Sequence, residues 1–62
     1  MCEFKATLDG KSVFDDVVYA KVDEDRVILK DILGETREFR NCKIIEVDVN
    51  LTRLILSSEK TS

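Results

Sequence analysis

The chain has no histidine and no proline, only two glycines and two cysteines, and aromatic residues make up 6% of its 62 positions. Each shortage removes a class of function. Without imidazole there is no ordinary general base and no Cys-His nucleophile, and neither cysteine has a partner that would activate it. Two cysteines allow a single bridge, and the separation of Cys2 from Cys42 offers no zinc-finger spacing within one chain. Gly10 and Gly34 stand too far apart to cradle a phosphate. No apolar run approaches the roughly 18 residues of a membrane span, and the N-terminus lacks the basic and apolar regions of a signal peptide, so a cytoplasmic protein is expected. In a reducing cytosol both thiols stay free. Positive charge is also scarce. A net charge of −3 and a pI near 4.8 argue against a surface built to neutralise a phosphate backbone.

With no proline, no Ser/Gly linker, no block of like charge and no internal repeat, residues 1–62 read as one domain, with 57–62 expected to fray as a polar tail. A chain this short buries only about 60% of the surface its unfolded form exposes, so its stability is marginal. Domains of this size add disulfides, a metal or self-association. A single possible bridge makes the first a weak choice, which leaves metal binding or dimerisation.

What is present is a succession of strand patterns. Cys2, Phe4, Ala6 and Leu8 alternate with Glu3, Lys5 and Thr7, the period of a half-buried strand. Asp9-Gly10-Lys11 supplies a turn of the Asp-Gly kind. Asp15-Asp16 reads as a second turn, ahead of the β-branched and aromatic run Val17–Val22. Asp23-Glu24-Asp25 is expected to be an exposed turn. Val27–Leu33 reads as a strand entering a hairpin at Gly34-Glu35, and Thr36–Arg40 as its return, with Phe39 inward. Ile45, Val47 and Val49 share one face of a further strand, and Asn50-Leu51-Thr52 turns the chain into Leu54-Ile55-Leu56. Five or six short strands spaced by turn chemistry predict an all-β fold, a small antiparallel barrel of SH3-like or Sm-like type. If such a sheet stays open, pairing a free edge across a two-fold axis would hide its backbone groups.

The candidate chemistry is at the chain start. Cys2 follows Met1 directly, so a thiolate lies beside the terminal amine. If Met1 is removed, the amine and thiolate of Cys2 form a five-membered chelate. If Met1 stays, its amine, the Cys2 amide and the Cys2 thiolate act together. Two chains meeting at their first strands would present two thiolates and two nitrogens, a set that suits the tetragonal geometry of Ni(II) or Cu(II) better than the tetrahedron of zinc. Met1 and Cys2 are therefore the expected metal ligands, with Ni(II) the expected ion. Cys42, just ahead of an apolar strand, reads as a small buried hydrophobe, with an approach to Cys2 as the lesser alternative. The carboxylates at Asp15-Asp16 and Asp23–Asp25 read as solvated surface, and no catalytic constellation survives.

Two other classes of function are open to these residues. A small barrel could stack single-stranded RNA on Phe4, Tyr19 or Phe39 beside Lys5, Lys11, Arg37, Arg40 and Lys43, although the acidic balance disfavours nucleic acid. A protein-interaction module could recruit a partner by adding a strand to an open edge.

The order of motifs resembles a known family. Met1-Cys2-Glu3, the Asp-Gly-Lys turn, Val17-Val18-Tyr19, an acidic turn, Val27-Ile28-Leu29 running into Ile32-Leu33-Gly34-Glu35, then Ile44-Ile45-Glu46-Val47-Asp48 and Leu54-Ile55-Leu56 are similar to the CooT family of small nickel-binding proteins, over Met1 to about Leu56. The resemblance implies a homodimer of small β-barrels holding one nickel ion between subunits through Cys2. It implies a metallochaperone-like accessory role, not an enzyme, with a nickel enzyme such as carbon monoxide dehydrogenase or its maturation factors as partner. Cys42 matches no motif of that family.

Overall fold

A computed structural model describes residues 3–59. Six strands follow one another, β1 (Phe4–Leu8), β2 (Lys11–Asp23), β3 (Arg26–Asp31), β4 (Thr36–Arg40), β5 (Cys42–Asp48) and β6 (Arg53–Ser58), and the described residues contain no helix. They form one sheet in the order β4-β3-β2-β1-β6-β5. The all-β expectation holds, and the barrel expectation needs correction on two counts.

First, the sheet is not closed: β4 and β5 are its two edges. They are consecutive in sequence, but Asn41 alone joins them, in the left-handed conformation at φ +57°. A hairpin needs at least two connecting residues, so the chain leaves one edge and swings across to begin the other. The Cys42 amide donates to the Asp25 carbonyl at 3.1 Å, which anchors the start of β5 at the β2–β3 turn. Second, the pairing is not wholly antiparallel. β1 and β6 run parallel, with Lys5 opposite Arg53 and Leu8 opposite Leu56.

The turns follow local chemistry. Leu8 pairs with Lys11 across Asp9 and Gly10, at φ +50° and +86°, the two positive values that a primed hairpin turn requires. Asp15-Asp16 is not a turn: β2 passes straight through it. Asp16 has φ +58°, and the register slips on either side, as at a β-bulge, a site where aspartate tolerates a left-handed backbone. The bulge lets one long strand pair first with β1 and then with β3. β3 ends at Asp31, so Ile32 and Leu33 belong to the loop and not, as their apolar character suggested, to the strand. Ser57 and Ser58, expected to fray, complete β6. The Ser58 amide and hydroxyl both donate to the Asp9 carboxylate, at 3.2 and 2.6 Å.

The core gathers Ala6, Val17, Val27, Leu29, Cys42, Leu54 and Leu56, with Phe4, Phe14, Phe39 and Ile44 packed against it. Full burial of a valine or leucine contributes about 1.5–3 kcal/mol, and among the described residues the largest fully buried side chains are Leu29, Leu56, Val17 and Val27. The core is correspondingly small. Ile45, Val47 and Val49 do not share a face as expected: the register shifts between Ile44 and Glu46, so Val47 pairs with Leu54 and lies on the same side as Ile44, which pairs with Leu56, while Ile45 at the shift is 56% exposed and Val49 lies beyond the end of β5.

Candidate functional site

Met1 and Cys2, the expected metal ligands, lie outside the described residues. Strand β1, which begins at Phe4, sits in the interior of the sheet. Phe4 pairs with Val17 of β2, Lys5 with Arg53 of β6, and the Lys5 amide donates to the Thr52 carbonyl at 2.9 Å. Both edges of β1 are therefore occupied, and two chains cannot extend their sheets by pairing first strand to first strand. Beside this end of β1 lies a polar hollow lined by Glu3, Lys5, Asp15, Asp16 and Thr52. Asp15 and Asp16 reach it because β2 runs on through them to pair Val17 with Phe4 at the start of β1, which a reading of Asp15-Asp16 as an isolated turn had no means of finding.

The second thiol is far from this end. Cys42 pairs with Ser58, and Ser58 is bonded to Asp9 beyond the far end of β1. The length of β1 separates the two ends, about 13 Å at about 3.3 Å per residue. Cys42 is buried and its Sγ donates to the Arg40 carbonyl at 3.2 Å. Burial, and then the negative charges of Asp9 and Glu59, push its pKa up. It is held as a thiol at neutral pH, a poor nucleophile and a poor metal donor. Among the described residues no group of three or more histidine, cysteine, aspartate or glutamate side chains is arranged to hold a metal ion.

The rings proposed for RNA stacking are largely spoken for. Phe4 and Phe39 pack against the core, and Tyr19 carries the Lys30 ammonium 5.2 Å from its ring centre. Lys5, Lys11, Arg37, Arg40 and Lys43 are exposed, but spread over four strands and without a shared aromatic platform. No helix among the described residues is long and apolar enough to cross a membrane.

A feature that no stretch of sequence announces is an apolar groove of about 320 Å³, lined by Phe4, Val17, Tyr19, Ile44, Val47 and Leu54 among others. Four strands contribute to it. It opens beside the first residue of β1, next to the polar hollow, which Phe4 also lines.

Comparison with known proteins gives one family and one fold. Residues 1–57 match the model of a family described as CO dehydrogenase accessory protein CooT. The chain is similar to a protein of Carboxydothermus hydrogenoformans, assigned as CooT, whose crystal structure superimposes with a TM-score of 0.83 at 22% sequence identity, covering 95% of this chain and 100% of that one. No curated protein matches the sequence.

Proposed function

The chain belongs to the CooT family of CO dehydrogenase accessory proteins, and from that membership we propose that it carries Ni(II) as cargo for a nickel enzyme in the cytoplasm, held between two subunits by paired Cys2 thiolates and nitrogen donors at the chain start. The observation that carries this reading is the family match, which begins at residue 1 and so includes Met1 and Cys2. Cys42, buried and kept protonated at the far end of β1, leaves Cys2 as the available soft donor. Thiolate with amine or amide nitrogen favours the tetragonal geometry of Ni(II). Copper competes for the same donors by intrinsic affinity, so supply and geometry decide the ion in the cell. A homodimer is supported by the small core and by the apolar groove that each protomer leaves open to solvent. The role is that of an accessory protein: cargo is bound and handed on, and no bond of a substrate is made or broken.

Nickel titration by calorimetry of the wild type and of Cys2→Ser tests the proposal. One ion per two chains is expected for the wild type, with affinity lowered at least a hundredfold in the variant. Unchanged affinity and stoichiometry refute it. A second reading, a protein-interaction module that recruits a partner by strand addition, has the uncovered edges of β4 and β5 in its favour. Loss of partner capture on placing proline in β5, with nickel binding intact, would select it.

A further inference from the structure

A homodimer that shares one cation needs the starts of its two chains at one axis, and the topology restricts how that can happen. The free backbone edges belong to β4 and β5. Joining two copies through β5 would separate their β1 strands by five strand spacings, about 24 Å along the sheet, and joining them through β4 by seven, about 34 Å. Edge pairing thus holds the chain starts apart. Contact between surfaces that border the start of β1 brings them together, and two apolar features border it.

One is the groove already described. The other is the β3–β4 loop, which is apolar where loops are ordinarily polar. Leu33 is 82% exposed and Ile32 52%, yet the loop is tightly held. Asp31 Oδ1 accepts from the amides of Leu33 and Glu35 at 2.9 and 2.8 Å. The Gly34 amide donates to the Asp31 carbonyl at 3.0 Å, the Asp31 amide to the Glu35 carbonyl at 2.9 Å, and the Ile32 amide to the Asp16 carbonyl at 3.0 Å. Every amide from Asp31 to Glu35 has an acceptor. Two aliphatic side chains are thereby presented to solvent on a backbone whose ordering cost is already met by the protomer's own hydrogen bonds, the condition under which a contact yields most affinity.

Knob and groove are neighbours. Val17 lines the groove, pairs with Phe4 on one side and on the other with Asp31, the residue immediately before Ile32. A cavity of about 150 Å³ accepts a benzene ring, so a groove of about 320 Å³ has room for both side chains.

We propose that two copies of this chain pack isologously, with Ile32 and Leu33 of each protomer seated in the apolar groove of its partner. A two-fold axis between adjacent knob and groove makes this contact twice, and it passes beside Phe4, where β1 begins. The inference rests on the homodimer reading above and names the surface that reading lacks. It also gives the dimer a source of affinity independent of metal, so the shared donor set is assembled before the ion arrives.

The test is sedimentation equilibrium of the full chain, without metal and with Ni(II), for the wild type, Leu33→Asp in the knob, Val47→Asp in the groove, and Cys2→Ser, with far-UV circular dichroism and thermal melts as fold controls. Ile32→Asp and Tyr19→Glu are second variants of each feature should either first variant fail to fold. The wild type and Cys2→Ser are expected to dimerise without metal. Each knob or groove substitution strikes both symmetric contacts and should raise the dissociation constant on the order of a hundredfold. An equimolar mixture of Leu33→Asp with Val47→Asp should recover part of the dimer, because one knob and one groove remain intact in the mixed pair. A wild-type dimer untouched by Leu33→Asp, or touched only by Val47→Asp as edge pairing at β5 would give, overturns the interface and leaves the nickel reading standing. A wild type that stays monomeric with and without nickel overturns the homodimer reading itself.

Discussion

Leu29 and Leu33 lie four residues apart and face opposite fates, 0% and 82% exposed, so the same truncation to alanine at each separates what holds the protomer from what holds the dimer. Leu29 is enclosed by the core cluster. Its truncation removes the transfer free energy of the deleted carbons and leaves a cavity, costing about 2–5 kcal/mol. A chain of this length commands about 3–9 kcal/mol in all, at about 0.05–0.15 kcal/mol per residue, so Leu29→Ala should consume from about a fifth of the stability to all of it. At about 4–8 °C per kcal/mol, the melting temperature should fall by at least about 8 °C. Leu33→Ala should stay within about 0.5 kcal/mol for the isolated protomer, as exposed substitutions do. The assay is urea unfolding followed by far-UV circular dichroism at two protein concentrations a hundredfold apart. A dimer's midpoint rises with concentration by mass action. The wild type and Leu29→Ala should show that rise, and Leu33→Ala should lose most of it. If Leu33→Ala destabilises the protomer at the lower concentration as much as Leu29→Ala does, the loop is part of the fold's core and the division drawn here is wrong.

Three further outcomes are expected. Gly10 meets nothing within 4 Å at the position of an added Cβ, yet its φ is +86°, so Gly10→Ala should cost about 1–2 kcal/mol through the backbone alone, and an unchanged melting temperature would contradict the turn assignment. Cys42, with its pKa raised from 9.0 by burial, should react with iodoacetamide at pH 8 far more slowly than Cys2 until urea is added. Because its folded pKa lies above the unfolded one, the stability tied to its neutral form is full below about pH 9 and is lost as pH rises through the folded value. Equal alkylation rates for the two thiols in the native protein would refute the burial assigned to Cys42. Nickel affinity should weaken as pH falls, since thiolate and amine must shed protons to bind, and a pH-independent affinity would exclude those donors.

Strand identity was largely legible because alternation and turn chemistry are local. Phe4, Ala6 and Leu8 read correctly as one face, Asp9-Gly10 as a turn and Phe39 as inward-facing. The errors share a different origin. Asp15-Asp16 looks like a turn because aspartate tolerates left-handed backbone, and the same property makes it a bulge within a longer strand. Ile32 and Leu33 looked like strand because an apolar pair in a loop makes sense only with something to cover it. The parallel partnership of β1 with β6 depends on residues about 50 positions apart, and no window of sequence contains them. The groove is hidden for the same reason, assembled from Phe4, Val17, Ile44 and Leu54 on four strands. Met1 and Cys2, expected as ligands from composition and position, lie outside the described residues.

The parallel pairing of the first strand with the last sets a schedule for biosynthesis. Lys5 must wait for Arg53, 48 residues later, which at about 5–20 residues per second is a delay of about 2–10 s on the ribosome. During that interval the flank of β1 that β6 will cover, at Ala6 and Leu8, has no neighbour. The nascent chain thus spends seconds with a sticky strand margin in the crowded cell, so overproduction that outruns release should send this small domain into inclusion bodies rather than to proteolysis of a finished fold.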